Sequence, residues 1–264
     1  MTTSYRTIAF AEPSAHIGLL TLNRPHVANA INTEMARELL QFFTGLSVPP
    51  AGLRCLLVTG AGDRSFCAGG DLKERAEMSD EAWFVQHAIM ERVITAIFDC
   101  PFPVIALVNG AAFGGGCELA LAADFVYAAA GARFALTETR LGVIPGAGGT
   151  QTLPRAVGAR RAVELICAAR PFSAEEALAW GLANRVLPKH RLLDEALCTA
   201  AAIAANAPLA VRLAKHSIRV GMEMDVHHAM VAALCGYNQL VGTHDRREGV
   251  RAFIEKREPA FHGN

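Results

Sequence analysis

Hydrophobic positions follow two rhythms along the chain. Before about residue 110, short β-branched and aliphatic runs bounded by turn formers predict strands at Tyr5–Phe10, Ile17–Leu22, Arg54–Thr59 and Pro103–Val108. Helical spacing alternates with them. Met35, Leu39, Leu40 and Phe43 predict a helix over roughly Thr33–Leu46, with Asn32 as its cap and Pro49 and Pro50 as its stop. Ser79, followed by Asp80 and Glu81, opens a second helix that runs to about Asp99, before Pro101. Ser173 and Glu176 form a capping box ahead of a short helix, Ala174–Trp180, ended by Gly181. From about Arg191 onward, Leu, Ala, Ile and Val recur at three and four, with breaks at Pro208, Gly221 and Gly242.

Strand, helix and strand in succession predict an α/β fold with parallel pairing. The expected organisation is an α/β core over residues 1–190 and a helical part over 191–264. No repeat of 20 to 50 residues, low-complexity segment or long polar linker separates them, so the two parts are expected to pack together.

Composition narrows the function classes. With 52% hydrophobic and 19% charged residues over 264 positions, the chain lacks the signature of disorder. Lys+Arg and Asp+Glu balance at 25 each, which leaves no global attraction to a phosphate backbone, so nucleic acid is not expected as a primary partner. No apolar run reaches the roughly 18 residues of a membrane span, and Met1–Pro13 lacks the basic start and apolar run of a signal peptide. The seven cysteines are scattered, without a C-x-x-C pair, and read as reduced thiols of a cytoplasmic protein. His227 and His228 are adjacent on a helix and face different directions, and no H-E-x-x-H occurs, so no metal site is expected.

The most informative stretch for chemistry is Pro103–Asp124: a strand, a turn at Asn109-Gly110, the triplet Gly114-Gly115-Gly116, then a helical run. Glycines at a helix N-terminus expose amides without intrahelical partners, which suit an anion or a developing oxyanion. Glu118 follows Gly115 by three residues, close to one turn, and its carboxylate is expected on the same side as those amides. Glu138 lies in an apolar setting, Phe134–Gly142, that raises a carboxyl toward general-acid use. The third element is Ser65–Asp71, after a strand and a loop, whose amides offer the other half of an oxyanion hole.

Each feature alone has a plainer reading. A glycine triplet makes a tight turn or a close helix-to-strand contact, and single glutamates serve helix ends or surfaces. Gly146–Thr150 lacks the G-K-[ST] ending of a phosphate cradle and reads as a turn into the helix carrying Gln151 and Leu153. Gly60–Ser65 places Ser65 where a dinucleotide fingerprint needs its third glycine or alanine. Cys67 and Cys117 adjoin the proposed elements but have no histidine nearby in sequence to activate a thiol.

Taken together, these residues resemble the crotonase, or enoyl-CoA hydratase/isomerase, family. The resemblance runs from Leu22–Pro25 (LNRP) with Asn29-Ala30, through Phe66–Asp71 (FCAGGD), Asn109–Ala120 and Ile144–Gln151, to Asp245–Arg257. It implies a spiral of β-β-α turns followed by a helical C-terminal region, assembled as homotrimers or as hexamers made from two trimers. It also implies an acyl-CoA thioester as substrate, with no separate cofactor.

By the same resemblance, Ala68 and Gly115 supply the two amides that bind the thioester oxygen, and Glu118 and Glu138 divide the acid and base work. The positions matching CoA contacts are Ala68, Gly69, Gly70 and Asp71, with Arg24 from the N-terminal loop. Phe253 and Lys256 match residues that reach a neighbouring subunit's CoA in some relatives.

Two acids favour hydration of a 2-enoyl-CoA over the one-acid isomerases, decarboxylases and thioesterases of the family. The segments Asp71–Arg75, Met78-Ser79 and Gly221–Asp225 look closest to the 3-methylglutaconyl-CoA hydratase branch, from which Cys117 and Thr152 depart. The alternatives are that branch, a Δ3-Δ2 enoyl-CoA isomerase or another crotonase-type reaction. From another class comes RNA binding through Arg246, Arg247, Arg251, Lys256 and Arg257, which predicts strong salt dependence.

Overall fold

The strands with the most continuous apolar character lie at the centre of the molecule. In the computed structural model, which describes residues 5–46 and 52–264, β1 (Ile8–Ser14) and β2 (Ile17–Leu22) form an antiparallel hairpin. The chain continues through α1 (Thr33–Gly45), β3 (Cys55–Gly60), β4 (Ser65–Cys67), α2 (Leu72–Ala76), α3 (Asp80–Phe98), β5 (Val104–Val108), β6 (Ala111–Phe113) and α4 (Gly115–Ala122). Next come β7 (Phe125–Ala129), β8 (Arg133–Ala135), α5 (Gly149–Val157), α6 (Ala159–Cys167), β9 (Phe172–Ser173), α7 (Ala174–Ala179) and β10 (Arg185–Leu187). Four helices close the chain: α8 (Leu192–Ala204), α9 (Pro208–Gly221), α10 (Val226–Val241) and α11 (His244–Glu255).

The connectivity forms a spiral. Strands β3, β5 and β7 pair in parallel within a six-stranded sheet ordered β1-β2-β3-β5-β7-β10. Strands β4, β6 and β8 pair in parallel within a second sheet ordered β4-β6-β8-β9. Each turn therefore lays one strand in each sheet before its helix. Every residue of β5 is buried, as expected for a parallel strand covered on both faces. Stacking the turns demands close backbone approach at Gly110, between β5 and β6. A Cβ there would lie 2.4 Å from the Arg64 carbonyl oxygen of the preceding turn.

Most of the predicted elements are present with shifted ends. The first strand starts at Ile8 because the Arg6 and Thr7 amides donate to the Glu38 carboxylate of α1 instead of to a neighbouring strand. It extends through Pro13, which an edge strand tolerates. Asn32 caps α1 by accepting from the Met35 amide, while Pro49 and Pro50, the expected stop, lie outside the described residues. Ser79 caps α3, and the Ser173–Glu176 capping box forms in full. Strands of two or three residues, such as β4, β6 and β8, are too short to show a periodic pattern and were not predicted.

The C-terminal helices divide into two kinds. Helix α8 packs against β2, β3, β5 and β7 and buries Leu192, Ala196, Ala200 and Ala204. Helices α9 and α10 pack on one another and leave Ile218, Met222, Met230, Val231 and Tyr237 exposed.

Candidate active site

The glycine triplet has three separate tasks. Gly114 adopts a left-handed backbone, φ +52°, that turns the chain from β6 into α4. Gly116 packs so tightly on β4 that a Cβ would lie 2.2 Å from the Cys67 carbonyl oxygen. Gly115, between them, borders a cavity of about 840 Å³ and would meet no atom closer than 3.9 Å. The close-contact reading of the triplet thus holds at Gly116, while Gly115 borders the cavity. Its amide is the first of α4 and has no intrahelical acceptor.

The cavity brings together Ala68, Gly69, Gly70, Gly115, Glu118 and Glu138. Glu118, one turn into α4, is only 3% exposed. Its Oε1 accepts the amides of Ala147 and Gly149 at 2.7 and 2.8 Å. Burial pushes the carboxyl up to about 7 against the pull of the Gly149 amide; the nearby Glu138 charge adds to the rise, and the Ala147 amide and Arg75 oppose it. Glu138 begins the short 3-10 turn Glu138–Leu141. Burial raises its pKa as well, and its buried Oε2 has no hydrogen-bond partner among the described residues.

One expected donor is corrected. The Ala68 amide donates to the Ala28 carbonyl at 3.1 Å and is not free to hold a ligand oxygen. Two residues on, the loop pairs as an isolated parallel bridge with Ile31. Gly69 O accepts from the Ile31 amide and the Asp71 amide donates to Ile31 O, so the Gly70 amide between them points away from this pairing. It has no backbone acceptor among the described residues and lies 3.9 Å from where a Gly115 Cβ would be. The free pair of amides is Gly70 and Gly115.

Arg24 and Asp71 are not among the cavity-lining residues. They form an ion pair at 2.9 Å, Arg24 also donates to the Ala30 carbonyl, and Asp71 caps α2. Together they brace the loop that carries Gly69 and Gly70. Phe253 on α11 and Lys256, just past its end, are exposed and do not line this chain's own cavity. The buried thiols are poor nucleophiles: burial pushes Cys67 up to about 12 and also raises Cys117.

Sequence reasoning missed two contributors. Gly146–Thr150 does lead into a helix, α5, but the amides of Ala147 and Gly149 also orient Glu118, which no local pattern reveals. Arg75 and Gln86, from α2 and α3, complete the cavity wall. The only available clue was spacing: Arg75 lies four residues after the cap Asp71, one turn along α2.

Comparison with known proteins agrees with the architecture. Residues 12–264 match the enoyl-CoA hydratase/isomerase family model, and the chain belongs to this family of enzymes. It is 39% identical over 250 residues to crotonyl-CoA hydratase of Syntrophomonas wolfei, covering 95% of this chain and 96% of that one. It is 37% identical over 247 residues to short-chain-enoyl-CoA hydratase of Clostridium acetobutylicum, covering 94% of each. The crystal structure of an enoyl-CoA hydratase from Bacillus anthracis superposes with a TM-score of 0.96 at 42% identity, covering 98% of this chain and all of that one. The mixed α/β fold is that of the crotonase family.

Proposed function

We propose that the protein is an enoyl-CoA hydratase that adds water across the 2,3 double bond of a 2-enoyl-CoA to give a 3-hydroxyacyl-CoA. The observation that carries this reading is the convergence of Glu118, Glu138 and the unpartnered amides of Gly70 and Gly115 on one cavity. The names of the Syntrophomonas and Clostridium relatives support it.

The two amides receive the thioester oxygen, on which negative charge grows as the nucleophile adds at C3. Glu118, ionised and held by two loop amides, takes a proton from the attacking water. Glu138, whose pKa burial raises and whose buried Oε2 has no hydrogen-bond partner among the described residues, delivers a proton to C2. Water supplies the hydroxyl at C3; Glu118 ends protonated and Glu138 ionised, and transfer of that proton from Glu118 to Glu138 restores the starting state. The chain's own acid and base complete the reaction, so no cofactor enters it.

The same reading places the protein in the cytoplasm as a homotrimer or hexamer, with α9 and α10 supplying apolar contact surface. It assigns Phe253, which is 86% exposed, and Lys256 to a neighbouring subunit's CoA. The test follows loss of the enone-thioester absorbance with crotonyl-CoA. Glu118→Gln and Glu138→Gln are each expected to lower kcat by about 10²- to 10⁴-fold. Near-normal rates in both variants would overturn the assignment.

A further inference from the structure

We propose that Arg75 is a recognition site for a carboxylate on the acyl chain, so that the preferred substrates are short 2-enoyl-CoA thioesters ending in a carboxylate. The inference rests on the hydratase reading and adds to it the class of acyl group. Arg75 is the only lysine or arginine lining the cavity among the described residues, in a wall otherwise rich in apolar side chains such as Ile31, Phe84, Met90 and Leu141. Withdrawing a guanidinium from water into such a wall is unfavourable unless something repays it.

The surrounding structure holds the guanidinium in one orientation. Arg75 Nε donates to Gln86 Oε1 at 2.9 Å, and the guanidinium stacks 4.6 Å over the Trp83 ring. Gln86 is 2% exposed and is itself fixed, donating to Thr33 Oγ1 at 2.8 Å and to Glu74 Oε2 at 2.9 Å. The two terminal nitrogens of Arg75 have no hydrogen-bond or ion-pair partner among the described residues. A planar fork with its Nε anchored and both terminal groups free matches a carboxylate held through two parallel bonds.

Neighbouring charges do not account for that free fork. Glu74 and Glu118 face Arg75, but Glu74 is engaged by the Thr33 amide and Gln86, and Glu118 by the Ala147 and Gly149 amides. Glu138, which also lines the cavity, acts on it from beyond ion-pair distance. The fork lies directly beside Gly70, where a Cβ would come within 2.8 Å of Arg75 Cζ. That position adjoins the amide assigned to the thioester oxygen, so a short acyl chain is enough to bring its far end to the guanidinium. A crotonyl group would leave the fork facing a methyl group.

The experiment compares kcat/KM for glutaconyl-CoA and crotonyl-CoA, and calorimetric binding of the unreactive glutaryl-CoA and butyryl-CoA. The wild type is expected to favour the carboxylated member of each pair by about tenfold or more, the worth of one charge-assisted hydrogen bond. Arg75→Gln should bring both ratios toward one, and Arg75→Lys should restore part of each. Wild-type ratios near one overturn the inference. So do ratios that Arg75→Gln leaves unchanged while the pH profile moves for both substrates alike, which would make Arg75 only a tuner of the two glutamates. Absence of turnover on either substrate, with glutaryl-CoA still bound in preference through Arg75, would overturn the hydratase reading and leave the carboxylate site standing.

Discussion

Glu118 and Gly149 are fitted to each other without slack. The Gly149 amide donates to Glu118 Oε1 at 2.8 Å, and a Cβ on Gly149 would lie 3.0 Å from both Cγ and Oε1 of Glu118 and from Leu136 Cδ1. The loop thus supplies a hydrogen bond that needs an amide and a clearance that forbids a side chain. Gly149→Ala is therefore expected to displace the carboxylate by a few tenths of an ångström or break its bond. A misplaced base loses rate steeply, and we expect kcat on crotonyl-CoA to fall about 10- to 100-fold with little change in KM. Steady-state kinetics beside a thermal melt checks this; an unaltered kcat in a normally folded variant would show that Glu118 does not need the loop.

The same loop bears on pH dependence. The proposed base must be ionised, and Glu118 is pushed up to about 7, so kcat/KM should rise with pH through the neutral range. The proposed acid must be protonated, and Glu138 is also raised, so activity should decline again once pH exceeds its elevated value. The profile is expected to be bell-shaped, with limbs that belong to the coupled pair. A profile flat from pH 5 to 9 would contradict the assigned roles.

What could be read from the chain itself was whatever rests on local pattern. Asn32, Ser79 and the Ser173–Glu176 pair specify helix starts within a few residues, and each start lies where its cap places it. The spacing of Gly115 and Glu118 put a carboxylate one turn from the free helix-end amides because one helical turn is a local rule. What remained hidden depends on contacts distant in sequence. The six-stranded order places β3 beside β5 across more than 40 residues, and three-residue strands such as β4 carry no period from which to infer it. The Ala68 donor failed for the same reason, since its acceptor, the Ala28 carbonyl, comes from another loop. Arg75 was visible as a residue, but its role depends on Gln86 and Trp83, which α3 brings alongside.

Burying the Glu118 carboxyl should weaken the fold wherever it must be charged. The Glu118 carboxyl goes from its ordinary value of 4.5 up to about 7 on folding, so the native state prefers the protonated form. Its contribution to stability is fully present below pH 4.5 and is lost as pH rises through about 7. The deficit at pH 8 is on the order of 3 kcal/mol, taking 1.36 kcal/mol per pKa unit. Glu118→Gln keeps an oxygen acceptor for the Ala147 and Gly149 amides while removing the charge. At fixed protein concentration, the variant should therefore melt several degrees above the wild type at pH 8, given roughly 2–4 °C per kcal/mol for a chain of this size. The gap should close toward pH 5, although the variant remains nearly inactive throughout. A variant that melts below the wild type by the same margin at both pH values would mean that the charge carries no folding penalty and that the carboxylate is held there for its hydrogen bonds alone.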